Sequence, residues 1–430
     1  MTVPESSPES SPVWPRVAII GTGISGMAAA YFLNRVADIT VFEKDSRPGG
    51  HANTVEVTEG DRKIPVDTGF IVYNRHTYPY FCKLMEELGV ETMDSNMSFS
   101  VRGRTTGFEY CGTGFSTLFA QKRNFLRPWF YRLLLEVVRF NRAGNKILAE
   151  GTLLDYSLGR YLKEKGYSER FIRYYVIPMG AAIWSTPARR MTEFPLHAFL
   201  RFLSNHGMLG VTTHFQWRTI RGGSREYVKR LTASFAGRVR YNSAVRAVHR
   251  EANGVSVILE SGEALSFDKV VMATHADDTL KILADATLQE KDLLSLYAYQ
   301  PNRAVLHSDR TVLPVRAAAH AAWNYEVDEA DPDPAPRLHY SMNRLQTLPS
   351  EKAYLVSLNP AAGESLQSVH YVKDYEHPLY SIEGIRRQKE IRELNGANHT
   401  YFCGAYCGYG FHEDGLRSAV EVARHFGVDF

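Results

Sequence analysis

A chain of 430 residues exceeds one ordinary domain and can bury two cores. Its 50 Lys and Arg against 47 Asp and Glu leave a net charge of +3, too even to argue for nucleic acid, and no zinc-finger, RNA-binding or helix-turn-helix pattern occurs. The four cysteines, Cys82, Cys111, Cys403 and Cys407, lack C-x-x-C spacing and are too few for a disulfide framework, so a reducing cytoplasm is expected; no apolar run is long enough to span a bilayer.

Met1 to Pro15 is mostly Ser, Pro and Glu and reads as a disordered tail rather than a signal peptide. Val17 to Ile20 is an unbroken apolar run, as a parallel strand buried on both faces requires. It runs into Gly21-Thr22-Gly23-Ile24-Ser25-Gly26, a G-x-G-x-x-G turn. Gly21 permits the bend, Gly23 lets backbone approach a pyrophosphate, and Gly26 allows close helix packing. Met27 to Leu33 predicts a helix whose positive end faces those phosphates. Ile39 to Phe42 predicts the second strand, and Glu43, followed by Lys44, stands where a carboxylate accepts from adenosine ribose hydroxyls. This strand, turn, helix, strand and acid together predict a dinucleotide site. The paired Gly49-Gly50, before His51, let the chain lie flat against a ligand.

Thr54 to Val57 and Lys63 to Val66 form a hairpin-like pair that leads into Asp67-Thr68-Gly69-Phe70. Residues 76–217 read mainly as helices, the first carrying Tyr80, Phe81, Leu84, Met85 and Leu88 on one face and stopping at Gly89. Within them, Phe119 to Lys146 interleaves Lys122, Arg123, Arg127, Arg132, Arg139, Arg142 and Lys146 with large apolar residues, against Glu136 alone. Two readings compete for this stretch: an interfacial helix on anionic lipid, or a core-packing helix with a solvated basic face.

Gly222-Gly223 precedes a helix-like run through Tyr227 and Leu231, then strand-like segments from Val239 to Val248 and Val255 to Leu259, and a buried run Val270 to Ala273. Residues 300–394 look strand-rich, with Leu338 to Met342 and Tyr354 to Leu358 suited to a sheet over the site. Asp331 to Pro336 is a stiff Pro-rich loop. The chain closes on Tyr401-Phe402-Cys403-Gly404-Ala405 and on Gly410 to Ser418, where Gly415-Leu416 predicts a helix start.

The paired glycines after the acid, together with this C-terminal segment, resemble the FAD-dependent amine oxidase and phytoene desaturase superfamily. The resemblance implies FAD and an α/β fold (α+β overall): a Rossmann-like FAD-binding domain of the GR2 type with an inserted mixed helix and sheet substrate domain. It also implies a discontinuous FAD-binding domain over residues 16–75, 218–288 and 395–430, with 76–217 and 289–394 forming the substrate domain. By the same likeness Thr68-Gly69-Phe70 passes the flavin ring, Val245 meets the adenine, Ala273 ends the strand nearest the cofactor, Gly404 and Ala405 lie by the ribityl chain, and the Gly415-Leu416 helix faces the pyrimidine edge. Gly49-Gly50-His51, Val66 to Asn74, Pro178 to Ser185 and Gly408 to Gly415 further resemble a group of bacterial flavoproteins described as predicted NAD/FAD-binding proteins and associated with cyclopropane and furan fatty acid metabolism. That likeness implies acyl-chain chemistry.

Typical amine oxidases place Arg after the paired glycines and an aromatic pair near the C-terminal motif. Here His51 and Tyr406-Cys407-Gly408-Tyr409 stand there, which argues against a primary-amine substrate. Tyr406 and Tyr409 either face the flavin or are core tyrosines. His412 is the first candidate for acid-base work, with Glu413 or Asp414 as its orienting partner, against a purely structural histidine; His275 and His51 are weaker candidates and more suited to cofactor contact. Cys407 reads as a buried thiol rather than a flavin attachment point. No Ser-His-Asp set, Walker loop or clustered metal ligands are visible, so no metal is expected. The reading is an FAD-dependent oxidoreductase that desaturates or isomerises an unsaturated or methyl-branched acyl chain, in the cytoplasm or peripherally on the inner membrane face through 119–146, with no nucleic-acid partner. Alternatives are an amine or small cyclic compound oxidase using O2, and a non-catalytic lipid-binding module like the GDP-dissociation inhibitors.

Overall fold

Arg16–Ile20 lies at the centre of a five-stranded parallel sheet, paired with Asp38–Phe42 on one side and Lys269–Met272 on the other. Val239–Arg240 and Thr400–Phe402 complete its edges. Both faces are covered, which is why the central strand is apolar at every position after Arg16. This is a computed structural model, and it describes residues 14–210, 215–331, 333, 335–361 and 364–430. The predicted tail lies outside the described residues except for Trp14 and Pro15.

Helix Ile24–Leu33 packs on one face of the sheet, with Met27, Phe32 and Leu33 fully buried beside Val17 and Ile19. Helix His412–Arg424 lies against it through Leu416, Ala419, Val420 and Ala423. A three-stranded antiparallel sheet, Val245–Glu251, Gly254–Leu259 and Ala264–Phe267, covers the other face through Phe267, which meets Phe42 edge-on at 5.9 Å.

A seven-stranded sheet forms a second layer in the order Val369–Leu379, Ala298–His307, Leu355–Leu358, Arg337–Ser341, Trp323–Val327, Phe99–Gly103, Glu109–Cys111. Residues 76–217 are helical in the main, but they also supply the strands Thr92–Ser95, Phe99–Gly103 and Glu109–Cys111. Phe99–Gly103 pairs in parallel with Trp323–Val327, a partner too distant in sequence to be seen in local periodicity. The stretch Phe119 to Lys146 divides where one continuous amphipathic element was expected. Lys122–Leu126 is a short tight helix and Pro128–Glu150 a separate helix, with Pro128 in the first turn, where its missing N–H costs nothing. Phe130 and Leu133 of the long helix enter the core of the seven-stranded sheet, and Phe140 and Ile147 enter the core beside helix Leu196–Asn205.

The C-terminal helix begins at His412 rather than at Gly415. The Asp414 carboxylate accepts from the N–H groups of Tyr409 (2.9 Å) and Phe411 (3.1 Å), satisfying donors ahead of the first turn and extending the helix backward.

Candidate active site

The carboxyl ends of the parallel strands open into a cavity of about 1660 Å³. That exceeds the ~300–1,000 Å³ of an ordinary small-ligand pocket, so it can hold a dinucleotide and a second molecule. Gly21, Gly23, Ile24, Ser25, Glu43, Lys44, Gly49, Gly50, His51, Thr68, Gly69, Phe70, Val245, Ala273, His275, Gly404, Ala405, Tyr406 and His412 all line it. Gly26, Tyr409, Gly415 and Leu416 do not.

Gly21 has φ +99°, and a Cβ there would sit 2.9 Å from the Ala273 carbonyl oxygen. A Cβ on Gly26 would collide with the Gly21 carbonyl oxygen, and one on Gly415 would lie 2.8 Å from Ile24 Cγ2. Both therefore act on packing, closing the turn and letting the C-terminal helix approach the first. Gly23 differs: a Cβ there meets nothing within 4 Å, and as N-cap it gives the first turn of helix Ile24–Leu33 no side-chain acceptor. Donors facing open space at a helix N-terminus fit a pyrophosphate. Buried Glu43 accepts from the Thr22 N–H (3.0 Å), the Thr22 hydroxyl and the Asp45 N–H (2.8 Å), which aims its carboxylate along the cavity wall where ribose hydroxyls would lie. The residues present thus fit FAD.

Beyond this cleft the ring of Phe70 stacks on His412, centroids 3.6 Å apart and planes 11° off parallel. His412 Nε2 lies 3.1 Å from the Tyr227 hydroxyl, and burial pushes the histidine down to about 3, so it is neutral. Neither acid beside it in sequence orients it. Glu413 turns away and accepts from the Tyr80 and Phe81 N–H groups, both at 2.9 Å, capping helix Pro79–Glu87; burial pushes it up to about 7. Asp414 is taken by Tyr409, Phe411 and Arg417. Tyr227, not either acid, is the partner of His412, because the first helical turn points those carboxylates at backbone donors.

Tyr406 lines the cavity from a fully buried position, and burial raises its phenol well above the ordinary value. Tyr409 lies outside the cavity wall, its carbonyl accepting from the Trp184 indole (3.3 Å). Cys407 is buried and off the lining, its thiol pushed up to about 12 by burial.

The fold gathers one group that sequence order conceals. His51 lies 4.9 Å from the Tyr375 ring, 5.4 Å from His377 and 6.1 Å from His275. Burial lowers all three histidines, His377 to about 4, so the group is neutral. The Tyr375 hydroxyl bonds Thr68 Oγ1 (2.9 Å) and accepts from Asn53 (3.2 Å); Asn302 donates to His377 Nδ1 (3.0 Å). Tyr375 and His377 share a strand face by their two-residue spacing, a weak signal when the strand's partners are unknown. At the rim, His275, Asp278 and Glu376 bring their ligand atoms within 4.8 Å of one another, with Asp278 already paired to Lys281 at 2.8 Å.

The second arm of the cavity runs away from this group and is largely apolar. Helix Pro128–Glu150 lines it with Leu133, Leu134, Val137 and Val138, residues 172–184 with Tyr175, Met179, Ala182 and Ile183, and the seven-stranded sheet with Phe99, Trp323, Tyr340 and Leu358. Tyr175 comes from a π-helical turn, Ile172–Val176, ahead of helix Ile177–Trp184.

The family of flavin containing amine oxidoreductases matches residues 24–322, and the chain belongs to it. The fold resembles the CLA-producing fatty acid isomerase from P. acnes (TM-score 0.70, 15% identity, 96% of this chain and 99% of that one). It resembles equally cyclohexylamine oxidase from Brevibacterium oxydans (TM-score 0.69, 16% identity, 96% and 98%). In sequence it is 36% identical to tryptophan 2-monooxygenase of Allorhizobium ampelinum over 81 residues, which span 18% of this chain and only 11% of that protein. The protein is an FAD-dependent oxidoreductase, and the non-catalytic lipid-binding alternative falls away. No described helix is long and apolar enough to cross a membrane.

Proposed function

We propose that the enzyme desaturates or isomerises an unsaturated or methyl-branched acyl chain. The observation that carries this is the long apolar arm, whose described lining offers no carboxylate to receive an ammonium group: of the lining acids, Glu43 and Asp45 follow strand Asp38–Phe42, Asp278 is on helix Ala276–Ile282, and Asp374 and Glu376 are on edge strand Val369–Leu379, where Glu376 lies 3.6 Å from His275 and Lys373 pairs with Asp45. FAD, when bound, supplies the hydride acceptor. In desaturation the chain gives up an allylic hydride and then a neighbouring proton, leaving a conjugated diene; return of the hydride to another carbon of the allylic cation, with no proton lost, makes the reaction an isomerisation. His412 takes the proton. In the tautomer that carries its proton on Nε2, facing the Tyr227 hydroxyl, Nδ1 is the nitrogen able to accept it, and Phe70 holds the ring in plane. Tyr406 and His275 are the secondary candidates, both lining the cavity. In this reading the protein is cytoplasmic and touches an anionic membrane peripherally through residues 119–146.

Oxidation of an amine or small cyclic compound, with O2 as acceptor, is the second reading, favoured by the family itself. Anaerobic mixing of the holoenzyme with unsaturated acyl lipids and, separately, with primary amines distinguishes them. Chain conversion or flavin bleaching by lipid alone supports acyl chemistry; bleaching by amines alone rejects it.

A further inference from the structure

The far end of the apolar arm reaches a rim with unusual surface chemistry. Phe115 and Leu118 line the cavity there, yet Phe115 is 71% exposed. Its ring packs on Phe119 (4.9 Å) and Phe125 (6.0 Å), and Phe119 stacks on Phe125 at 4.0 Å. Leu126 is 86% and Leu135 70% exposed. On helix Pro128–Glu150, Tyr131 and Leu135 face solvent one helical step from Leu134 and Val138, which face the cavity. Exposed apolar side chains thus continue the inner wall outward, an arrangement that water disfavours and a bilayer surface does not.

Charge is divided just as sharply. Among the described residues the Lys and Arg lining the cavity are Lys44, Lys281 and Lys373, all at the dinucleotide end, and the last two are paired with Asp278 and Asp45. The described lining of the apolar arm has no cation to hold a fatty-acid carboxylate. His206 there is neutral, lowered to about 4 by burial, with Nδ1 on the Phe202 carbonyl. The cations stand outside, on the rim. Lys122 and Arg123 are exposed, and Arg123 donates only to the Thr106 and Gly107 carbonyl oxygens. Arg127, Arg132 and Arg139 are otherwise engaged: with Gln121 and Asn124, with Glu136, and over the Tyr167 ring.

We propose that the substrate is the acyl chain of an intact anionic membrane lipid, drawn into the arm from a bilayer on which the Phe115 to Leu135 face docks, its ester and headgroup remaining outside beside Lys122 and Arg123. This rests on the acyl-chain reading of the same site. A buried free carboxylate would lack a counter-charge, whereas an ester left at the rim needs none, and the headgroup phosphate meets two cations that no described carboxylate pairs.

The test uses the FAD-loaded enzyme with phosphatidylglycerol vesicles carrying linoleoyl chains, phosphatidylcholine vesicles with the same chains, and sodium linoleate. Co-sedimentation is expected to favour phosphatidylglycerol by roughly tenfold or more, and to fall by a similar factor in K122E/R123E. L126D/L135D should also detach, with both variants keeping FAD content and thermal midpoint. Chains released from phosphatidylglycerol should be converted faster than free linoleate. Equal sedimentation on both vesicles, or conversion of linoleate as fast as of lipid, overturns the proposal while leaving acyl-chain chemistry standing. A dimer in light scattering that L126D/L135D disperses assigns the face to a second copy of the chain instead. Conversion of none of the three overturns the acyl-chain reading as well.

Discussion

Phe70 and His412 lie face to face, 3.6 Å between centroids, although one follows a hairpin near the start of the chain and the other opens its last helix. The stack clamps the loop after Arg62–Asp67 onto the C-terminal helix, and it leaves His412 one hydrogen bond, to Tyr227. An imidazole in so apolar a setting is held neutral.

If His412 takes the proton, His412→Ala should retain FAD yet slow substrate-dependent flavin reduction by ~10²–10⁴. Stopped-flow reduction under anaerobic conditions measures this. An unchanged rate moves the role to Tyr406 or His275. Tyr227→Phe should have a smaller effect in the same assay, since it removes only the group that orients the ring.

Stability should respond to acid through the same residue. His412 is lowered to about 3 in the fold and has its ordinary value, near 6.5, when unfolded. The unfolded chain therefore binds the extra proton first as pH falls. The contribution of neutral His412 is complete above pH ~6.5 and is lost progressively toward pH ~3. His412→Phe should reduce the slope of the thermal midpoint against pH in that window. An identical slope would mean the ring is solvated.

The two turn glycines should fail differently. Gly23→Leu should fold with a nearly unchanged thermal midpoint but lose FAD affinity by about a hundredfold or more, since a Cβ there meets no protein atom within 4 Å and the side chain would occupy the pyrophosphate's approach. Gly26→Val should lower stability itself, because its Cβ meets the Gly21 carbonyl. Full FAD occupancy in Gly23→Leu would contradict the phosphate site.

Asp67 is a structural anchor between layers. It accepts from the Ser224 N–H (2.9 Å), the Ser224 hydroxyl (2.8 Å) and Gln346 Nε2 (2.9 Å), and burial lifts it to about 6. Asp67→Ala leaves those buried donors unmet and should cost about 2–4 kcal/mol in denaturant unfolding. A cost under ~1 kcal/mol would show that water replaces the carboxylate.

Flavin attachment is expected to be non-covalent. The Cys407 thiol, pushed up to about 12 and off the cavity wall, is neither ionised nor in reach. Acid precipitation should release all the FAD into the supernatant; yellow pellet protein would contradict this.

The elements around the first glycine turn were legible in the sequence alone. An apolar strand, a turn that excludes side chains, a helix and an acid are each fixed by neighbours in the chain, and Gly21, Gly23 and Glu43 line one cavity. The remainder depended on pairings between distant segments. Phe99–Gly103 takes its place only beside Trp323–Val327, and His51, His275 and His377 meet only when three separate strands and loops converge. The neutrality of His412 was equally hidden, since a histidine's charge is set by the dielectric of its packed surroundings rather than by adjacent residues. Periodicity told that the stretch Phe119 to Lys146 is amphipathic, but not that Leu134 and Val138 would line a cavity while Leu135, next to Leu134 in the chain, remains in solvent. That division follows from which layers the helix meets in three dimensions, because burial is a property of the assembled surfaces and sequence patterning encodes only the angle between side chains.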